Sequence, residues 1–276
     1  MTKRYVTVLA IAGSDCSGGA GIQADIKTIS ANGAYAVSVI TALTAQNTLG
    51  VHQIQTLPEK FITAQLEAVF TDIYIDTIKI GMLHNSDVIN CVQNAIKRYQ
   101  PRHIVLDPVM VAKDGARLIN IKVIELLKEK LFPIATLITP NIPEAEILSG
   151  HKIFSKKEML LVAKDIALTY KVNVLIKGGH LENKKCHDLL FSWKDQMITW
   201  FSLSRINTKN THGTGCSLSS AIATFVAQGS LLTDAIKQAK EYVNAALLAG
   251  KDYALGAGQG PVHHFYQLEK IINYNN

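Results

Sequence analysis

Between Asp25 and Glu59 the chain has no acidic residue, and this gap decides how its first glycine turn is read. Gly19, Gly21 and Ala24 fit the loose G-x-G-x-x-A spacing of a dinucleotide fingerprint. That fingerprint also needs an Asp or Glu about twenty positions further on to hold the ribose, so an NAD- or NADP-dependent oxidoreductase is disfavoured. The G-x-x-x-x-G-K-[ST] pattern of a P-loop is missing too. Cysteine is scarce: Cys16, Cys91, Cys186 and Cys216 stand far apart with no C-x-x-C pair. This excludes a disulfide framework and a cysteine-rich zinc site, and points to a reducing, cytoplasmic compartment. His212, His263 and His264 fit no zinc spacing either, so supporting or packing contacts are expected of them. No apolar run reaches membrane-spanning length, and residues 6–12 stop at Gly13 too early for a signal-peptide core. Lys plus Arg number 28 against 22 Asp plus Glu, a net charge of +6, yet the basic residues form no run. Such scatter suits small anions better than nucleic acid, for which no binding signature is present.

Hydrophobic residues make up 48% of the 276, enough for one large α/β domain over residues 1–276, with no linker or repeat. Short β-branched runs at residues 6–12, 36–42, 77–80, 104–107, 137–139 and 172–177 read as buried strands. Strands apolar on both faces belong to a mostly parallel sheet. Between them, Ile22, Ile26 and Ile29 mark one helix face, and residues 58–71 and 86–99 read as crossover helices. Ser155 with Glu158 forms a capping-box pattern for a helix carrying Met159, Val162, Ile166 and Tyr170 on one side. Thr233 opens another, with Ala235, Ala239, Val243, Ala246 and Leu247 inward and Gly250 as its stop. Residues 188–193 and 197–201 form a β-hairpin added to the sheet. The order predicts an α/β, three-layer αβα fold with helices on both faces of the sheet and ligands at the C-terminal ends of its strands.

The richest chemical signal is residues 210–216 (NTHGTGC), ahead of a small and apolar run at residues 217–226. Gly213, Thr214 and Gly215 can turn their amides inward, and the next helix adds its own N–H groups, which makes a turn for an anion such as phosphate. Cys216 at that helix N-terminus is expected to have a lowered pKa and to serve as proton acceptor or nucleophile. Taken alone, the segment also fits a glycine turn before a packed helix. Residues 13–21 form a second glycine turn, suited to a compact substrate. Gln46, in a polar cluster after the second strand, offers paired donor and acceptor groups to a ring with an amino group beside a ring nitrogen. Asp107 and Glu144 follow the fourth and fifth strands, where carboxylates can hold Mg²⁺ through its water shell; singly, each also fits a helix cap or solvated charge. Lys177 ends a buried strand, and its ammonium needs a partner such as a nucleotide phosphate.

In order along the chain, residues 17–28 (SGGAGIQADIKT), 41–50 (TALTAQNTLG), 79–83 (KIGML), 107–113 (DPVMVAK), 139–146 (TPNIPEAE), 177–180 (KGGH) and 211–216 (THGTGC) resemble the motifs of the ribokinase-like superfamily. Within it, the chain is similar to the hydroxymethylpyrimidine/phosphomethylpyrimidine kinases. The resemblance implies ATP-dependent phosphorylation of 4-amino-5-hydroxymethyl-2-methylpyrimidine to its monophosphate and then its diphosphate, in thiamin biosynthesis. It also implies Mg²⁺ as cofactor and a cytoplasmic homodimer without nucleic-acid or membrane partners. By the same resemblance, Gln46 pairs with the aminopyrimidine edge, Asp25 and Gly13 lie near the hydroxymethyl end, and Met82 and Val109 flank the ring. Lys177 and Thr211 serve the nucleotide, Asp107 and Glu144 position hydrated Mg²⁺, and the amides of residues 213–216 stabilise migrating charge. Cys216 takes the place of the Asp base of the wider superfamily. Cys16 falls where the family varies and is given no role. The cousin pyridoxal kinases share the cysteine and generally lack the glutamine, and a non-catalytic sensor would bind the pyrimidine without turning over ATP. Residues 111–117 and 256–264 are the loops expected to close the site.

Overall fold

β1 (Thr7–Asp15) is buried along its whole length, and its side chains alternate between two cores. Leu9 and Ile11 enter one apolar cluster, while Val8, Ala10 and Ala12 enter the other. A central strand covered on both faces requires this pattern. The computed structural model describes residues 3–110, 120–179 and 185–268, and among them nine strands form one sheet in the order β3-β2-β1-β4-β5-β6-β7-β8-β9. Here β2 is Tyr35–Asn47, β3 Gly50–Thr56, β4 Thr77–Ile80, β5 Ile104–Leu106, β6 Leu137–Ile138, β7 Asn173–Ile176, β8 Lys185–Phe191 and β9 Ile198–Ser204. The six strands from β2 to β7 in that order are parallel. β3 pairs antiparallel with β2 at one edge, and the β8–β9 hairpin pairs antiparallel with β7 at the other.

Five helices pack on the first cluster: α2 (Glu59–Asp72), α3 (Ser86–Tyr99), α4 (Ile121–Lys130), α5 (Ile142–Ser149) and α6 (Lys156–Tyr170). On the opposite face α1 (Gly21–Ala31), α7 (Thr214–Ala227) and α8 (Leu232–Gly250) pack on the second. This is the expected three-layer α/β fold. From β1 the chain continues to β2 on one side, and from the adjacent β4 it continues to β5 on the other, which opens a crevice at the C-terminal ends of β1 and β4. Among the described residues no helix is long and apolar enough to cross a membrane.

Three local expectations change. β2 runs past residue 42 to Asn47, so Gln46 lies in a strand, at a register shift opposite β3. Ile26 is 37% exposed while Asp25 and Thr28 are fully buried, because α1 turns a polar pair toward the sheet and α7. At Ser155 only half of the capping box forms: its Oγ accepts from the Glu158 N–H, but Glu158 Oε2 accepts from the Phe154 N–H. The complete box is at Asn141 and Glu144, opening α5.

Candidate active site

Two glycine turns meet at the crevice. A Cβ on Gly213 would lie 1.8 Å from the carbonyl oxygen of Gly19, and Gly213 has φ +74°. Only glycine tolerates both the contact and the conformation. Gly213→Ala should push the turns apart and lower kcat/KM by about 10²-fold or more, as small misplacements of reacting groups do; near-normal steady-state turnover would contradict this packing. Gly13, in the first turn, is covered by Met82, whose Cε would come within 2.7 Å of an added Cβ.

α7 starts at Thr214 without a side-chain cap, so no side chain occupies the Gly215 and Cys216 N–H groups of its first turn. A Cβ on Gly215 would lie 3.3 Å from Lys177 Nζ and 3.6 Å from Asp107 Oδ2. Asp107, at the end of β5, and Lys177, at the end of β7, thus converge beneath the turn because parallel strands end together. Asp107 Oδ1 accepts from Lys177 Nζ at 2.7 Å and from Thr139 Oγ1 at 3.0 Å. Burial disfavours the Lys177 ammonium, but Asp107 and then Glu144 outweigh it and raise its pKa. Glu144 Oε2 accepts from the Asn141 N–H at 2.7 Å and completes the α5 cap. Burial pushes the Glu144 carboxyl up to about 7, with Lys177 pulling against it and Asp107 adding to it. Two carboxylates beside an anion turn fit Mg²⁺, which commonly takes one or two carboxylates together with substrate phosphates. Among the described residues no group of three or more His, Cys, Asp or Glu gathers as a transition-metal site would need.

Cys216 corrects an expectation. Burial pushes its thiol up to about 11, although Lys79 opposes this and the Gly21 N–H donates to the sulfur. The α7 N-terminus alone therefore does not lower it. Lys79 belongs to a fully buried pair, with Nζ 2.7 and 2.8 Å from the two Asp25 oxygens and Ser220 Oγ 2.8 Å from Asp25 Oδ1. Asp25 consequently does not face the crevice; it anchors Lys79, whose charge acts on Cys216.

Across the crevice, the Gln46 side chain touches Thr44 Oγ1 at 3.2 Å and His212 Nε2 at 3.4 Å. Cys16 Sγ donates to the Gln46 carbonyl at 3.1 Å and accepts from its N–H at 3.2 Å, bracing the backbone at the register shift. Residues 256–264 join the two sides: the Gln259 N–H donates to the Thr48 carbonyl, and the His212 N–H donates to that of Gly260.

Residues 15–263 match the family described as phosphomethylpyrimidine kinase. The chain belongs to that family. It is 48% identical over 265 residues to the thiamine biosynthesis bifunctional protein ThiED of Geobacter sulfurreducens, covering 96% of this chain and 53%, about half, of that protein. It is 45% identical over 262 residues to the hydroxymethylpyrimidine/phosphomethylpyrimidine kinase of Salmonella typhimurium, covering 95% of this chain and 98% of that one. The ADP complex of Bacillus subtilis pyridoxal kinase superposes with a TM-score of 0.88 at 34% identity, covering 96% of this chain and 99% of that chain.

Within this phosphomethylpyrimidine kinase family member, the crevice gathers Cys216, Gly213, Gly215, Lys177 and Asp107 at one side and Gln46 at the other. Thr214 donates from N–H and Oγ1 to the Thr211 carbonyl, closing the turn. Val109 is half-buried just after β5, its N–H on the Asp107 carbonyl at 2.8 Å. His180 and residues 111–117 lie outside the described residues. Sequence reasoning gave no role to Lys79 or Asp15 and expected supporting or packing contacts of His212. A lysine inside the apolar run of β4 was the available signal for Lys79.

Proposed function

We propose that the chain transfers the γ-phosphoryl group of ATP to the hydroxymethyl oxygen of 4-amino-5-hydroxymethyl-2-methylpyrimidine, and then a second one to the monophosphate, as its thiamin-pathway relatives are named for doing. The observation that carries this reading is the convergence of Lys177 and Asp107 beneath Gly215, beside Cys216, at an uncapped helix N-terminus. Phosphoryl transfer needs alignment and charge neutralisation. The Gly213, Gly215 and Cys216 amides supply fixed donors for the migrating charge, Lys177 a cation for nucleotide phosphates, and Cys216 Sγ an acceptor for the hydroxyl proton. Asp107 and Glu144 would hold hydrated Mg²⁺. Bound there, the ion would neutralise phosphate charge.

Gln46 favours the pyrimidine over pyridoxal, because its amide can meet an amino group and the adjacent ring nitrogen together. Met82 and Val109 are assigned to the ring faces, Gly13 to the hydroxymethyl end and Thr211 to the nucleotide. A cytoplasmic homodimer completes the reading; the four free cysteines support a reducing compartment. Gln46→Ala should raise KM for the pyrimidine by about tenfold or more, the loss of one or two hydrogen bonds, and leave KM for ATP near its wild-type value. Steady-state kinetics with each substrate varied in turn tests this, and an unchanged pyrimidine KM would remove Gln46 from ring recognition.

A further inference from the structure

Asp188 on β8 and Lys240 on α8 form a second buried ion pair, and in the sheet β8 lies on the other side of β7 from Asp107. Lys240 Nζ donates to Asp188 Oδ2, while Asp188 Oδ1 accepts from the Gly178 N–H at 2.9 Å. Gly178 directly follows Lys177. β7 and β8 pair antiparallel only as far as Ile176 and Leu189. Beyond that point a side chain takes over from the ladder, and the Gly178 N–H goes to a carboxylate instead of a strand carbonyl. A charged acceptor makes the stronger bond, and Lys240 offsets the charge that burial would otherwise penalise.

Gly178 also packs straight onto β8, where a Cβ would lie 1.9 Å from the His187 carbonyl oxygen. Its neighbours are held too: the Lys177 N–H donates to the Pro140 carbonyl at 2.9 Å, and Arg205 Nη2 donates to the Gly179 carbonyl at 3.0 Å. The contact through Asp188 ties this turn to α8, which packs with α7 against the same cluster. α7 carries the anion turn at its N-terminus, so the pair sets the base of Lys177 relative to that turn. The Lys177 ammonium must end 2.7 Å from Asp107 Oδ1 and beneath Gly215. On a flexible four-carbon stem, that place is fixed at the tip by Asp107 and at the base by the backbone.

We infer that Asp188 and Lys240 are positioning residues for nucleotide binding, which hold the turn after β7 so that Lys177 meets the phosphates. They act through the Gly178 amide and not by contact with the nucleotide. The inference rests on the reading of Lys177 as the cation for nucleotide phosphates.

Calorimetric titration of the full chain with the ATP analogue AMP-PCP plus Mg²⁺, and separately with the pyrimidine alcohol, tests this. Asp188→Asn leaves one carbonyl oxygen for two donors, the Gly178 N–H and Lys240, and sets its NH₂ against the loser. It should weaken nucleotide binding about tenfold, the worth of one hydrogen bond, and leave pyrimidine affinity unchanged. Adding Lys240→Met frees that oxygen for Gly178 and should restore most of the lost nucleotide affinity. Asp188→Leu/Lys240→Met, equally uncharged and of similar size, offers Gly178 no acceptor and should stay about tenfold weaker. A pair with a merely structural role would leave the two double variants alike, since neutral replacements of a buried pair are often tolerated. If Asp188→Asn fails to fold, the two double variants carry the comparison alone. Equal nucleotide affinity in those two, or equal losses for nucleotide and pyrimidine, would overturn the inference. Wild-type nucleotide affinity in Lys177→Met would instead overturn the underlying reading of Lys177.

Discussion

Cys216→Ala is expected to slow the first phosphoryl transfer, onto the pyrimidine alcohol, by roughly 10² to 10⁴, the usual contribution of general-base assistance. The second transfer should suffer less, because the attacking phosphate oxygen is already ionised and needs no base. The raised thiol pKa of about 11 adds a pH signature. At neutral pH only a small fraction is thiolate, and that fraction grows about tenfold per pH unit up to the pKa. The first step should therefore accelerate with pH above neutral in wild type and lose that dependence in Cys216→Ala. Single-turnover experiments that resolve the two products test both points. Equal losses in the two steps, or a pH profile untouched by the substitution, would contradict the assignment of Cys216 as base.

Lys79→Met is expected to have the largest effect on stability. Lys79 and Asp25 are both fully buried, and removing the ammonium leaves a carboxylate with Ser220 as its remaining side-chain partner. Breaking one half of a buried pair costs about 3–5 kcal/mol, whereas replacing both halves with apolar residues is often close to neutral. Equilibrium urea unfolding should show the full loss in Lys79→Met and a partial recovery in Lys79→Met/Asp25→Leu. A loss below about 1 kcal/mol in the single variant would mean that Asp25 is satisfied by other means. Lys79 also opposes burial at Cys216, so the variant should shift the alkaline rise of the first step to higher pH.

Much of this architecture is legible in the chain, for reasons tied to particular residues. α3 matches its expected span because Asn85 caps one end and Gln100, left-handed at φ 46°, stops the other. β4 matches because a short β-branched run sits wholly in the core. β3 was not legible: Gly50–Thr56 buries no side chain fully and carries no apolar face, so its strand character comes from pairing with β2. α5 is only eight residues long with Pro143 in its first turn, and the Glu144 read as a metal ligand is also its capping residue.

The site divides along the same line. Cys216, Lys177, Asp107 and Gln46 announce themselves by motif and by their places at strand and helix ends. The groups that tune them do not, because they meet across the sequence. Asp25 finds Lys79 54 residues away, and Asp15 finds His212 197 residues away. A local window sees the helix N-terminus that should acidify Cys216. It does not see the burial that overrides it.

The most direct test is a time course of ATP- and Mg²⁺-dependent phosphorylation of 4-amino-5-hydroxymethyl-2-methylpyrimidine, with alcohol, monophosphate and diphosphate separated by chromatography and pyridoxal assayed beside it. Sequential appearance of monophosphate and diphosphate, abolished by EDTA and restored by Mg²⁺, is the predicted result. Turnover of pyridoxal alone, or pyrimidine binding with no turnover, would contradict it.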